Sequence, residues 1–246
     1  LEKKTKREML NFACGYFTPT QELLVYRHLA SGFTHNTVVI GILPFNDLVQ
    51  DDSSFHEDDR FVHYQPYYQP SRNGYQLIYR EDSLKKSTFN KEGYASLQNT
   101  PGQRLRRFLK EFSFCYNIFQ YLKYSKPVVN AKAVPYSGYF DYTAPQLAKI
   151  RFLLSSLKEA AGGKQVIVVT IPVYNDFVRY ETSPGKSMAT ELADFCSENG
   201  MEFIDLLPAF RKQVKDPSTL YLTCDAHWNE TANKMAAEII LPLLRK

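Results

Sequence analysis

The run Thr37-Val-Val-Ile-Gly-Ile-Leu43 is β-rich and apolar on both alternating faces. A strand that offers water neither face belongs inside a sheet covered on both sides, as parallel sheets are. Further β-rich segments lie at about 8–12, 165–171 and 202–205. Between them stand stretches of helical period. One starts at Thr18-Pro19-Thr20-Gln21, where Thr18 serves as N-cap, Pro19 takes the first helical position and Gln21 closes a capping box; Gly32 ends that run. Others cover about 144–161, stopped by Gly162-Gly163, then 188–199 and 230–244. Strands alternating with helices predict an α/β domain of three layers around a parallel sheet. In such sheets the chemistry gathers beyond the carboxyl ends of the strands.

Residues 50–140 break this rhythm and read as an insertion within one domain spanning 1–246. An acidic cluster is followed by tyrosines, and two short runs around Asn73-Gly74, at 63–68 and 75–79, predict a β-hairpin. Leu105, Phe108, Leu109, Phe112, Tyr116 and Phe119 then mark one long amphipathic helix over 104–123. Its dense cations Arg104, Arg106, Arg107 and Lys110 read as a solvated helix face.

Composition closes off several classes. With 44% hydrophobic and 23% charged residues the chain is of globular type. Its longest apolar run, about 166–173, is far short of the roughly 20 residues of a membrane helix. A formal charge of +4 is too mild and too evenly spread to point to nucleic acid. Cys14, Cys115, Cys196 and Cys224 show neither disulfide-framework nor zinc spacing.

Three segments could carry chemistry. Thr223-Cys-Asp-Ala-His-Trp-Asn229 holds the single tryptophan and places Asp225 two residues before His227, ahead of a terminal helix. An Asp that orients an imidazole supplies two-thirds of a nucleophilic triad. The competing reading is a helix cap, with Asp225 or Asn229 as the cap oxygen. Asn46-Asp47 ends the first strong strand, where an Asn amide suits a developing oxyanion, and where a turn would also favour these residues. Asn11-Phe-Ala-Cys-Gly15 ends another candidate strand, and Gly15 could offer a backbone N–H or simply make a tight turn. No other histidine lies in a segment suited to join a metal site.

Taken in order, these segments resemble the blocks of the SGNH, or GDSL-like, hydrolase superfamily. Residues 11–22 look like its glycine block and the following helix, residues 38–47 like its asparagine block, and residues 225–229 with Ala236-Ala-Glu238 like its last block. The resemblance implies a flavodoxin-like α/β fold and ester hydrolysis by acyl transfer without a cofactor or metal. It gives His227 as general base, Asp225 as its orienting carboxylate, and Asn46 with the backbone at Gly15, or at Tyr16, as oxyanion donors. The implied substrate is a small acyl ester, with acetylated carbohydrate favoured because Tyr64, Tyr67, Tyr68, Tyr75 and Tyr79 could stack on a sugar; packing within the hairpin is the competing use. An exported location is the favoured one. The family's Gly-Asp-Ser block is absent from these 246 residues. Its strand lies inside the sheet between those ending near Asn11 and Asn46, so the nucleophilic serine is expected upstream of Leu1. Two alternatives stand beside this one, an O-acyltransferase of polysaccharides and a non-catalytic binding or scaffold protein.

Overall fold

The computed structural model describes residues 1–15, 17–52, 66–79, 101–124, 136–182, 186–223 and 227–244. The chain forms two compact units. The larger joins Leu1–Tyr79 to Val134–Lys246, and the smaller is Arg80–Ala133.

The larger unit is built on a three-stranded parallel sheet. Strand β1 (Thr37–Ile42) pairs with β4 (Gln165–Thr170), which pairs with β5 (Glu202–Asp205). Central β4 is buried from Val166 to Thr170. Its side chains alternate between two cores. Val166 and Val168 pack with Leu23, Ile150, Leu154 and Leu192 on one face. Ile167 and Val169 pack with Phe177, Leu207, Phe210 and Ala236 on the other. A parallel strand with a core on each side is the middle of a three-layer arrangement. The helices supplying those cores are α2 (Pro19–His28), α6 (Ala144–Ala161) and α8 (Met188–Glu198) on the first face. On the second are α7 (Tyr174–Thr182), α9 (Leu206–Gln213) and α10 (Glu230–Leu244). A short α1 (Glu2–Thr5) precedes them, and α3 (Pro44–Gln50) follows β1 directly.

Local signals govern where these helices start. The Thr18 N–H donates to Gln21 Oε1 at 3.1 Å, and the Thr143 N–H donates to Gln146 Oε1 at 2.8 Å, so both helices open on a capping box with Pro at the first turn. α2 ends at His28, and a single 3-10 turn, Ala30–Gly32, carries the chain to β1.

Several expectations need correction. Residues 8–12 form no strand. A strand persists only with a ladder partner, and among the described residues β1 pairs on one side only. β1 is also less covered than its composition predicts: Val39 is 45% exposed. The hairpin exists as β2 (Pro66–Ser71) and β3 (Gly74–Tyr79), but Ser71 faces Gly74 in the register. The turn is therefore Arg72-Asn73, and Gly74 (φ 112°) takes the first place in β3. Residues 63–65 and Tyr64 lie outside the described residues. Three of the hairpin tyrosines pack against the protein, while Tyr79 is exposed. Tyr67 and Tyr68 are buried, and Tyr75 stacks on Phe152 of α6 at 4.5 Å.

The smaller unit carries α4 (Pro101–Phe112) and α5 (Phe114–Tyr124), two helices where one was predicted. The break falls at Ser113, whose Oγ accepts the Tyr116 N–H at 3.2 Å and so starts the second helix.

Candidate functional site at the carboxyl edge of the sheet

β1 and β4 stay paired to their ends, where the Ile171 N–H donates to the Ile42 carbonyl at 2.8 Å. Of the four predicted site residues, Asn46 follows the end of β1, and the loop of His227 is tied to the end of β4. Asn46 lies in the first turn of α3, not in a loop, because Pro44 at the helix start lets α3 begin at once after β1. His227 sits in a loop returning over the end of β4. That loop is closed by backbone bonds from Leu222 N–H to the His227 carbonyl and from Asn229 N–H to the Leu220 carbonyl, each at 2.9 Å. It is tied to β4 by the Tyr221 hydroxyl and the Trp228 Nε1, which donate to the Pro172 carbonyl at 2.9 and 3.2 Å.

The helix cap expected near His227 is Asn229. Its Oδ1 accepts the Thr231 and Ala232 N–H groups at 3.0 and 3.2 Å. His227 itself is exposed. Asp225 and Cys224 lie outside the described residues. Gly15 occupies an exposed turn closed by the Phe17 N–H on the Cys14 carbonyl at 3.2 Å. Its φ is not positive, and a Cβ there would meet nothing within 4 Å. The turn itself does not require glycine. Tyr16, the alternative donor, lies outside the described residues.

Beside Asn46 the structure assembles a group of acids that the sequence reading passed over. Asp47 Oδ2 accepts the Leu43 N–H at 2.6 Å and is buried, as is Asp51, which accepts the Thr20 hydroxyl at 3.0 Å. Lys149 of α6 reaches Asp51, with its Nζ 3.7 Å from Oδ2. Glu22 of α2 faces the same two acids. Burial pushes its carboxyl up to about 8, helped by repulsion from Asp47 and Asp51. Asp47 is also pushed up to about 8, by burial first and by Asp51, against the Leu43 N–H that favours its charged form. Burial raises Asp51 as well, outweighing Lys149 and Thr20. Asn46 Oδ1, Glu22 Oε2 and Asp51 Oδ1 are buried without a hydrogen-bond partner among the described residues. Buried acceptors without donors are costly and uncommon in native proteins. Only the adjacent Asp51-Asp52 pair hinted at this cluster in the sequence.

A second buried network supports the same edge. The Ser137 hydroxyl donates to Asp176 Oδ1 at 2.5 Å, and the Val173 N–H donates to Oδ2 at 2.7 Å. Burial raises Asp176 to about 6, while these donors hold it lower. Ser137 is fully buried and committed to Asp176, which disqualifies it as an accessible nucleophile. The next residue, Gly138, lies so close to the start of α3 that a Cβ would sit 2.0 Å from the Pro44 carbonyl oxygen.

Among the described residues no cluster of three or more His, Cys, Asp or Glu side chains is arranged to hold a metal ion. None of their helices is long and apolar enough to cross a membrane. No family model, curated protein or solved structure matches the chain.

Proposed function

We propose that this chain is the greater part of an SGNH-like ester hydrolase that works by acyl transfer. His227 acts as general base and then acid, Asp225 orients its imidazole, and Asn46 with the backbone at Gly15 holds the oxyanion. The nucleophilic serine belongs to a strand N-terminal to Leu1 that pairs with β1. A small acyl ester is the substrate, with sugar O-acetyl groups preferred. One observation carries the reading. Asn46 follows the carboxyl end of β1, and the loop of His227 is hydrogen-bonded through Trp228 to Pro172, just beyond the carboxyl end of neighbouring β4, the edge where open α/β sheets place their ligands. Among the described residues β1 pairs on one side only, which supports placing the serine's strand against its other edge.

The test uses the parent protein carrying the residues before Leu1, assayed on a small acetyl ester. His227→Ala should abolish turnover while leaving the fold intact, since the side chain is exposed. Asn46→Ala should lower kcat by about 100-fold or more, the usual loss for one oxyanion donor. Full activity in His227→Ala removes the mechanism. Transfer of acetyl to a sugar acceptor instead of water reassigns the protein as an acyltransferase.

A further inference from the structure

The helices of the smaller unit expose what amphipathic helices normally bury. Leu105, Phe108, Phe112, Phe114, Phe119 and Leu122 are each more than half exposed. Leu105, Phe108 and Phe112 recur at spacings of three and four on α4, and Phe119 and Leu122 stand three apart on α5, so each helix carries an apolar stripe. Phe108 and Phe112 pack against each other on α4 with tilted rings, centres 5.1 Å apart. A contiguous exposed patch of this composition marks an interaction surface.

Charge selects the partner. The sequence over 101–124 carries Arg104, Arg106, Arg107, Lys110 and Lys123 against Glu111 alone. On α4, Arg104 and Arg106 stand one residue to either side of Leu105, so cations border the apolar stripe along both flanks. Two copies packed stripe to stripe would bring these like charges together, which disfavours self-association. An anionic lipid surface has the complementary charge. Its acyl boundary accepts Phe and Leu, while the long Arg and Lys stems lift their charges to the phosphates.

We propose that residues 101–124 form an interfacial element that docks the protein on an anionic lipid bilayer, with the Phe and Leu side chains inserted and Arg104 and Arg106 at the headgroups. This does not depend on the hydrolase reading.

Flotation of the whole chain with vesicles tests it. Binding is expected to phosphatidylcholine vesicles containing about one-third phosphatidylglycerol and not to phosphatidylcholine alone, and it should weaken strongly at high salt. Arg104→Gln with Arg106→Gln should weaken partitioning by more than 10-fold, at about 5-fold per cation. Phe112→Ser with Phe119→Ser should lower it at least as much. The charge pair lies on exposed positions, so it remains informative should the Phe pair misfold, as circular dichroism would reveal. Absence of binding to anionic vesicles overturns the proposal, as does binding unchanged in the charge pair. A concentration-dependent dimer lost in the Phe pair, without vesicle binding, assigns the stripe to a second copy instead.

Discussion

The indole Nε1 of Trp228 donates to the carbonyl oxygen of Pro172 at 3.2 Å, tying the residue next to His227 to the end of the central strand. The Tyr221 hydroxyl donates to the same oxygen at 2.9 Å. Trp228 also packs against Phe210 of α9, ring centres 5.1 Å apart. The loop that carries His227 is therefore tied to β4 and α9.

Removing these donors should act through that attachment. Trp228→Phe removes the N–H together with the pyrrole half of the indole, so at least about 0.5–1.5 kcal/mol of stability should go. Tyr221→Phe should cost a similar amount. The double variant leaves the Pro172 carbonyl without either donor and should cost more than the sum. Urea midpoints of the two single variants and the double variant check this. Strict additivity would show that the two donors do not share the load.

Gly138→Ala should be among the most damaging single substitutions in the chain. The added Cβ would fall 2.0 Å from the Pro44 carbonyl oxygen, a backbone atom at the root of α3 that cannot swing aside. Overpacking of this kind costs about 1–3 kcal/mol, and more where backbone must move. A loss of about 3 kcal/mol in urea unfolding is expected. Gly15→Ala, whose Cβ meets nothing within 4 Å, should be close to neutral by the same measurement.

The acid group around Asn46 should make stability depend on pH in a definite direction. Burial and mutual repulsion raise Glu22 and Asp47 to about 8 in the folded protein, while the unfolded chain holds such groups near 4. Between these values the folded state binds more protons than the unfolded one. Their contribution is therefore fully present below about pH 4 and is lost as pH rises toward 8. Asp176, raised to about 6, acts in the same sense over a narrower window. Glu22→Gln should be more stable than the parent at pH 8 by on the order of 1–2 kcal/mol, and close to it at pH 5. Denaturant unfolding at the two pH values reads the difference. An equal effect at both would mean that Glu22 titrates normally.

Hydrogen exchange should report the open edge of β1. The Asn36 and Ile42 carbonyls accept from Gln165 and Ile171, so the even-numbered backbone groups of β1 face β4 and residues 37, 39 and 41 face away. Val39 and Gly41 amides should exchange much faster than that of Ile40, by 100-fold or more. In a protein extended upstream of Leu1, the same two amides should become protected by the pairing strand. Fast exchange in the extended protein would place that strand elsewhere.

Short-range patterns determined a large part of this structure. The capping boxes at Thr18 and Thr143 act within one helical turn, and the runs at 37–42, 165–170 and 202–205 carry their extended preference in their own Val, Ile, Thr and Phe residues. The α/β alternation, the helices at 144–161 and 230–244 and the hairpin could be read from the chain for that reason. Only the tertiary structure decided what depends on distant partners. Residues 8–12 have strand composition and form none, because a ladder needs a second backbone beside it. Glu22, Asp47 and Asp51 come from α2, α3 and the end of α3, and became one high-pKa group only when packing withdrew them from water together. Gly138 looks like an ordinary loop glycine until folding brings it against Pro44. The position of His227 was set in the same way, by two side-chain donors meeting a carbonyl about fifty residues away in sequence.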